Sequence, residues 1–168
     1  VGVAMKTASV SIVVALVMCV PVTALCQRSD GEHDAAIQAL VSRPQIRQAL
    51  EFVRDFESDA EATLIELTEI PAPPFREAER GQKFVALLRE AGLRDVRVDE
   101  VGNVVARRPG AGRGETIAIV AHLDTVFPPG TDVTVRRRGD RLYAPGIGDD
   151  TRGLVLLLSV AHALERAR

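Results

Sequence analysis

Apolar residues fill positions 10–20 behind Lys6, Pro21 ends the run, and small residues lead on to Ala24 and Cys26. A basic start, an apolar centre of about 11 residues and a small-residue exit form the layout of a secretory signal peptide. The run is short of the roughly 20 residues that a membrane-crossing helix needs. Residues 1–26 are therefore read as an export signal, cleaved after Val22-Thr23-Ala24, which implies a periplasmic or secreted protein. Thr23-Ala24-Leu25-Cys26 also resembles a lipoprotein box, with lipid anchoring through Cys26 as the alternative. Residues 27–34 are polar and are expected to form a mobile lead-in.

From residue 35 the pattern becomes helical and remains so to about 68. Pro44 fits the first turn of a second helix, where its missing N–H costs nothing. Ile46, Leu50, Val53 and Phe56 fall on one stripe, and Leu64, Ile65 and Leu67 continue the apolar theme. Residues 70–75, with three prolines, must run as a stiff extended loop. A further helix is expected over 77–91, with Phe84, Leu87 and Leu88 inward and Gly92 as its stop.

Strand patterns follow at 96–98 and 103–108, then a Gly-rich turn. Residues 116–121 are a continuous run rich in β-branched side chains, which predicts a strand buried on both faces. Segments 133–136 and 141–143 flank Gly139-Asp140 as a hairpin. Residues 154–164 are nearly all apolar and predict a helix packed behind the sheet. The fold class expected is α/β, a mixed sheet flanked by helices. A βαβ pattern leads into another parallel strand, and none follows residue 164, so residues 35–168 are expected to be the N-terminal part of a larger catalytic domain.

Composition narrows the function. The net charge of -2 excludes strong electrostatic attraction to nucleic acid or an anionic membrane. The chain has no Trp and one Tyr, so base-stacking platforms are absent as well. Both cysteines, Cys19 and Cys26, lie in the leader, which leaves no thiolate for a zinc site and no disulfide framework downstream. A metal site here must use His and carboxylates.

Two polar clusters sit where such a site belongs, beyond the ends of strands. His122 and Asp124 close the most apolar strand, and residues two apart face the same side. Gly146-Ile147-Gly148-Asp149-Asp150-Thr151-Arg152-Gly153 joins the hairpin to the last helix. Imidazole and carboxylate are ordinary ligands of catalytic zinc. His122 and Asp149 are the candidate metal ligands, and Asp124 suits the role of fixing the His122 tautomer. Asp149 could bridge two metals about 3.5–4 Å apart, an arrangement that activates a water. Each residue taken alone has a plainer reading: His122 as a hydrogen-bonding strand-end residue, and Asp150 or Thr151 as a helix N-cap. His33 and His162 read as surface or packing residues, and Arg136-Arg137-Arg138 as a solvated hairpin edge. Glu77 and Arg80 either fix the preceding loop or form a surface pair.

Together these features resemble one family: His-x-Asp after an apolar strand, a hairpin, then Gly-x-Gly-Asp-Asp-x-x-Gly before an apolar helix. It is the zinc-dependent exopeptidase and amidohydrolase family of aminoacylase, peptidase T, succinyl-diaminopimelate desuccinylase and glutamate carboxypeptidase (M20/M25/M40-type, metallopeptidase clan MH). Ile70-Pro71-Ala72-Pro73 and Asp99-Glu100-Val101-Gly102-Asn103-Val104 add to the resemblance, which covers about residues 45–168. It implies a phosphorylase/hydrolase-like dizinc exopeptidase fold and hydrolysis of peptides or N-acyl amino acids with two Zn2+ ions. His122 would ligate one metal, Asp124 would orient it, and Asp149 would bridge both. The Asp149–Asp150 peptide would be cis. A Glu general base, further ligands and a lid domain supporting a homodimer would lie beyond Arg168. The fragment alone would then be inactive. Alternatives are a non-catalytic truncated product or weak metal-binding module, and a Mg-dependent phosphoester hydrolase, since Asp-Asp pairs also hold Mg2+.

Overall fold

The computed structural model describes residues 23–110, 112 and 114–167, which fall into two compact units that divide between Ala39 and Leu40. Most of the expected export signal therefore lies outside the described residues. Helix α1 (Thr23–Val41) takes in segment 27–34 and begins well upstream of the expected boundary at residue 35. The segment is polar, yet Gln27, Arg28 and Glu32 are good helix formers and Gly31 is its only strong breaker.

The second unit is built on α2 (Pro44–Asp55), α3 (Glu57–Thr68), α4 (Ala78–Glu90) and α5 (Arg152–Arg166). Pro44 does open α2, where no intrahelical donor is needed. The buried stripe of α2 is displaced from the expected one: Ala49 is buried, whereas Leu50 and Val53 are exposed. Phe52, not Val53, turns inward and stacks on Phe56 at 5.2 Å between ring centroids. Leu64 and Leu67 from α3, Phe84, Val85 and Leu88 from α4, and Leu154, Val155 and Leu158 from α5 form one core with Val96.

Two antiparallel hairpins complete the unit. Strand β1 (Asp95–Val98) pairs with β2 (Val104–Arg107), with Val96 opposite Ala106. Their turn is organised by Asp99, whose carboxylate accepts the N–H groups of Val101 and Asn103 and the Asn103 side-chain amide. Strand β3 (Arg136–Arg138) pairs with β4 (Arg141–Tyr143) across Gly139-Asp140, so the second hairpin forms where expected but residues 133–135 stay outside its ladder.

Helices and strands are mixed as an α/β sequence requires, but among the described residues no single mixed sheet joins them. The segment expected as a doubly buried strand at 116–121 carries no ladder, and Ile117, Ile119 and Val120 are 84%, 58% and 85% exposed. A run of β-branched residues becomes a buried strand only when neighbouring strands flank it, and the two hairpins pair with themselves instead. For the same reason α5 does not pack behind a sheet. It packs on α2, α3 and α4, and an Arg108–Glu165 ion pair at 3.0 Å ties its C-terminal part to the end of β2.

His162 is a packing residue, as its place in an apolar helix suggested. Its ring lies 5.8 Å from that of Phe52 and 5.0 Å from that of Phe56, and Arg166 covers Phe52 at 4.7 Å. Burial lowers the His162 pKa, the Arg166 cation adds to the effect, and Glu90 opposes it. The unfolded chain therefore binds the proton more readily. This packing stabilises the fold fully above a pH of about 6.5, the ordinary histidine value, and its contribution is lost as pH falls below that. Thermal melting of wild type and His162→Gln between pH 8 and 5 checks this: the variant should lose stability less steeply on acidification.

Candidate functional site

The segment that carries His122 and Asp124 has no ladder, so other groups must hold its backbone. Three do so. The Thr125 N–H donates to the Ala72 carbonyl at 2.7 Å, which fixes the segment to the proline-rich loop. The His122 N–H donates to the Asp150 carboxylate at 3.1 Å. The Leu123 carbonyl accepts from Arg80 Nη1 at 3.0 Å.

The loop bearing Asp149 and Asp150 is a wide turn at Ile147–Thr151, closed by the Thr151 N–H donating to the Gly146 carbonyl at 3.2 Å. The Asp149–Asp150 peptide is cis, as the family resemblance implied. Asp150 caps α5, since its Oδ1 accepts the Gly153 N–H at 3.1 Å. Of the two alternatives for that cap, Asp150 is the one used, and its other oxygen serves His122. A Cβ at Gly153 would lie 2.1 Å from Asp150 Oδ1, so any larger residue there would displace the carboxylate that caps the helix.

Gly146 is constrained twice. Its φ is +76, and a Cβ there would lie 2.5 Å from Thr125 Cγ2. Gly146→Ala is therefore expected to destabilise the fold by about 1–3 kcal/mol, because side chain and backbone must both shift. Urea denaturation checks this, and an unchanged midpoint would show that the turn relaxes freely.

His122 lies at the centre of the polar group. Its Nδ1 is 2.9 Å from the Asp124 carbonyl and 3.2 Å from Asp124 Oδ1, while Nε2 is 3.0 Å from Asp149 Oδ1. The ring is half exposed, and the Asp149 side chain is 89% exposed, so solvent reaches the pair. The His122 pKa is raised, first by the hydrogen bond to Asp149, against some desolvation, with smaller help from Asp124 and Asp150. A protonated ring donates from both nitrogens.

This donor set fits zinc. With Nδ1–H given to Asp124, Nε2 is free to ligate once its proton leaves. Two donors at about 2.0–2.1 Å from a tetrahedral zinc stand about 3.3 Å apart, close to the 3.0 Å between His122 Nε2 and Asp149 Oδ1. Among the described residues no three His, Cys, Asp or Glu side chains converge as a fuller ligand set. Nor do these residues line a concavity of about 380 Å3 beside the second hairpin, between Asp132, Thr134, Arg136, Tyr143, Ala144 and Pro145. Its polar side chains are committed to each other, since Asp132 accepts the Thr134 N–H and pairs with Arg136, whereas His122 and Asp149 are of the types that ligate zinc.

The remaining candidates lie elsewhere. Arg136 pairs with Asp132, Arg137 with Glu61, and Arg138 covers the Tyr143 ring, which makes this hairpin the solvated edge its charge implied. Arg80 is the residue whose importance the sequence understated. It is fully buried, not part of a surface pair, and Glu77 Oε2 is buried without a hydrogen-bond partner. A signal was available: a proline-rich loop cannot satisfy its own carbonyls, so a nearby donor was needed.

Residues 103–168 match Peptidase family M28. Carboxypeptidase G2 of Pseudomonas sp. strain RS-16 is 30% identical over 95 residues, 52% of this chain and 23% of that protein. A LysW-lysine/LysW-ornithine hydrolase of Pyrococcus horikoshii is 38% identical over 86 residues, 51% of this chain and 25% of that protein. The chain thus spans about a quarter of the length of these relatives. Together the similarities support a hydrolase of the metallopeptidase kind.

Proposed function

We propose that this chain carries part of the active site of a zinc-dependent hydrolase that cleaves peptides or N-acyl amino acids, of the M20/M25/M40 type within that broader kind. The observation that carries the reading is the 3.0 Å approach of His122 Nε2 to Asp149 Oδ1, two ligand types brought together from positions 27 residues apart. His122 and Asp149 would hold the metal in this reading. Asp124 holds the Nδ1 proton and so keeps the ligating nitrogen on the outer side of the ring. A zinc pair, when bound, supplies the Lewis acidity that activates a water and polarises a scissile carbonyl. The open flank of Asp149 leaves room for substrate to approach. Export through residues 1–26, with lipid anchoring at Cys26 as its variant, and homodimerisation through a further domain belong to the same proposal.

The test is metal removal from the full-length protein. Chelation is expected to abolish hydrolysis of dipeptides and N-acyl amino acids, with Zn2+ and not Mg2+ restoring it. Phosphoester hydrolysis restored by Mg2+ would overturn the reading, as would hydrolysis that survives chelation.

A further inference from the structure

Arg80 takes no part in the chemistry just proposed, yet it is 0% exposed. A guanidinium so placed must have its donors satisfied, because a buried unpaired cation is very costly. Its hydrogen bonds go to backbone carbonyls of two separate segments. Nε and Nη2 reach the Ile70 carbonyl at 3.2 and 2.7 Å, and Nη2 also reaches that of Thr68 at 3.4 Å. Nη1 reaches the Leu123 carbonyl at 3.0 Å. Burial lowers the Arg80 pKa while the charge of Asp124 raises it, so Asp124 lies close enough to favour the cation.

Leu123 is the residue between His122 and Asp124. Its side chain packs against the core cluster, and in an extended segment that turns its neighbours to the opposite side. The His122 N–H bond to Asp150 and the Thr125 N–H bond to Ala72 hold this segment at either end, but without a ladder the backbone between them can still rotate. A Leu123 carbonyl held by a rigid, buried fork removes that freedom. We propose that Arg80 is a positioning residue for the candidate site: by gripping the Leu123 carbonyl it sets the register of residues 122–124 and thereby aims His122 at Asp149. The proposal rests on the zinc-hydrolase reading for its functional meaning, but the geometry it claims is measurable in metal-free protein.

Lysine keeps the charge but is a point donor on a flexible stem, and it cannot serve both segments as the planar fork does. In the full-length protein, Arg80→Lys is compared with Leu158→Ala, a core truncation in α5 that touches none of these carbonyls. Two quantities are read: the ring nitrogen and proton NMR signals of His122 without metal, and zinc affinity by competition with a chelator. Arg80→Lys is expected to move or broaden the His122 signals and to weaken zinc by about tenfold or more, the usual cost of losing an outer support. Leu158→Ala is expected to leave both nearly unchanged while lowering the melting temperature. Wild-type ring signals and affinity in folded Arg80→Lys would overturn the proposal, and so would an equal loss in Leu158→Ala. Should Arg80→Lys fail to fold, the wild-type protein still decides. Slowly exchanging Arg80 guanidinium protons support the grip, and rapidly exchanging ones overturn it. A wild type that binds no zinc would sink the functional reading alone, and the ring signals would then decide the positioning role by themselves.

Discussion

Removing the His122 imidazole is expected to abolish the proposed hydrolysis by the full-length protein. In His122→Ala one ligand goes, and Asp149 loses the partner that sits 3.0 Å from its Oδ1. Loss of a mere outer support lowers metal affinity by about 10–100-fold, so loss of a ligand should exceed that range. A fall in kcat/KM of about a thousandfold or more, equivalent to about 4 kcal/mol of transition-state stabilisation, is expected. Asp149→Ala should match it. The fold should persist in both variants, because His122 and Asp149 are exposed and lie outside the hydrophobic core. Steady-state kinetics with zinc in excess, beside a melting curve for each variant, checks both halves. The raised His122 pKa adds a direction to the metal dependence. A proton must leave Nε2 before zinc binds, so affinity should fall as pH is lowered through that raised value.

The second large effect concerns stability. Leu158 is 2% exposed, in the core cluster to which all four helices of the second unit except α2 contribute. Truncation to alanine removes its transfer free energy and leaves a cavity, and is expected to cost about 2–5 kcal/mol. Urea denaturation measures this directly. A loss below about 1 kcal/mol would show that α5 is not held by this core and that the surroundings collapse onto the gap.

The helices were legible because their apolar residues repeat at helical spacing, and Pro44 marked a start that the structure keeps. The buried face of α2 was harder to place. Leu50 and Val53 are as apolar as their neighbours, and only the partners across the interface select Ala49 and Phe52 instead. The run at 116–121 failed as a buried strand because β-branched composition states a preference, while burial depends on strands that no local pattern supplies.

The site was legible where it was chemical and hidden where it was mechanical. His122, Asp124 and Asp149 were candidates because few residue types ligate zinc, and the structure brings them within hydrogen-bonding distance although residues 116–121 form no strand. Asp124 meets the ring through both its carbonyl and its carboxylate, a detail that residue spacing does not contain. The cap was open between Asp150 and Thr151; Asp150 takes it, and its other oxygen accepts the His122 N–H, which spacing does not show. Arg80 fixes the preceding loop through the Ile70 carbonyl, one of the two readings its position allowed, but its second acceptor was hidden because Leu123 lies 43 residues away in sequence.

In the proposed reading His122 and Asp149 hold a common zinc ion. Anomalous diffraction at the zinc edge from crystals of the zinc-loaded protein locates that ion. A metal peak is expected about 2.0–2.2 Å from both His122 Nε2 and an Asp149 carboxylate oxygen, displacing the hydrogen bond between them. A zinc ion bound by other residues, with His122 Nε2 still 3.0 Å from Asp149 Oδ1, would contradict it.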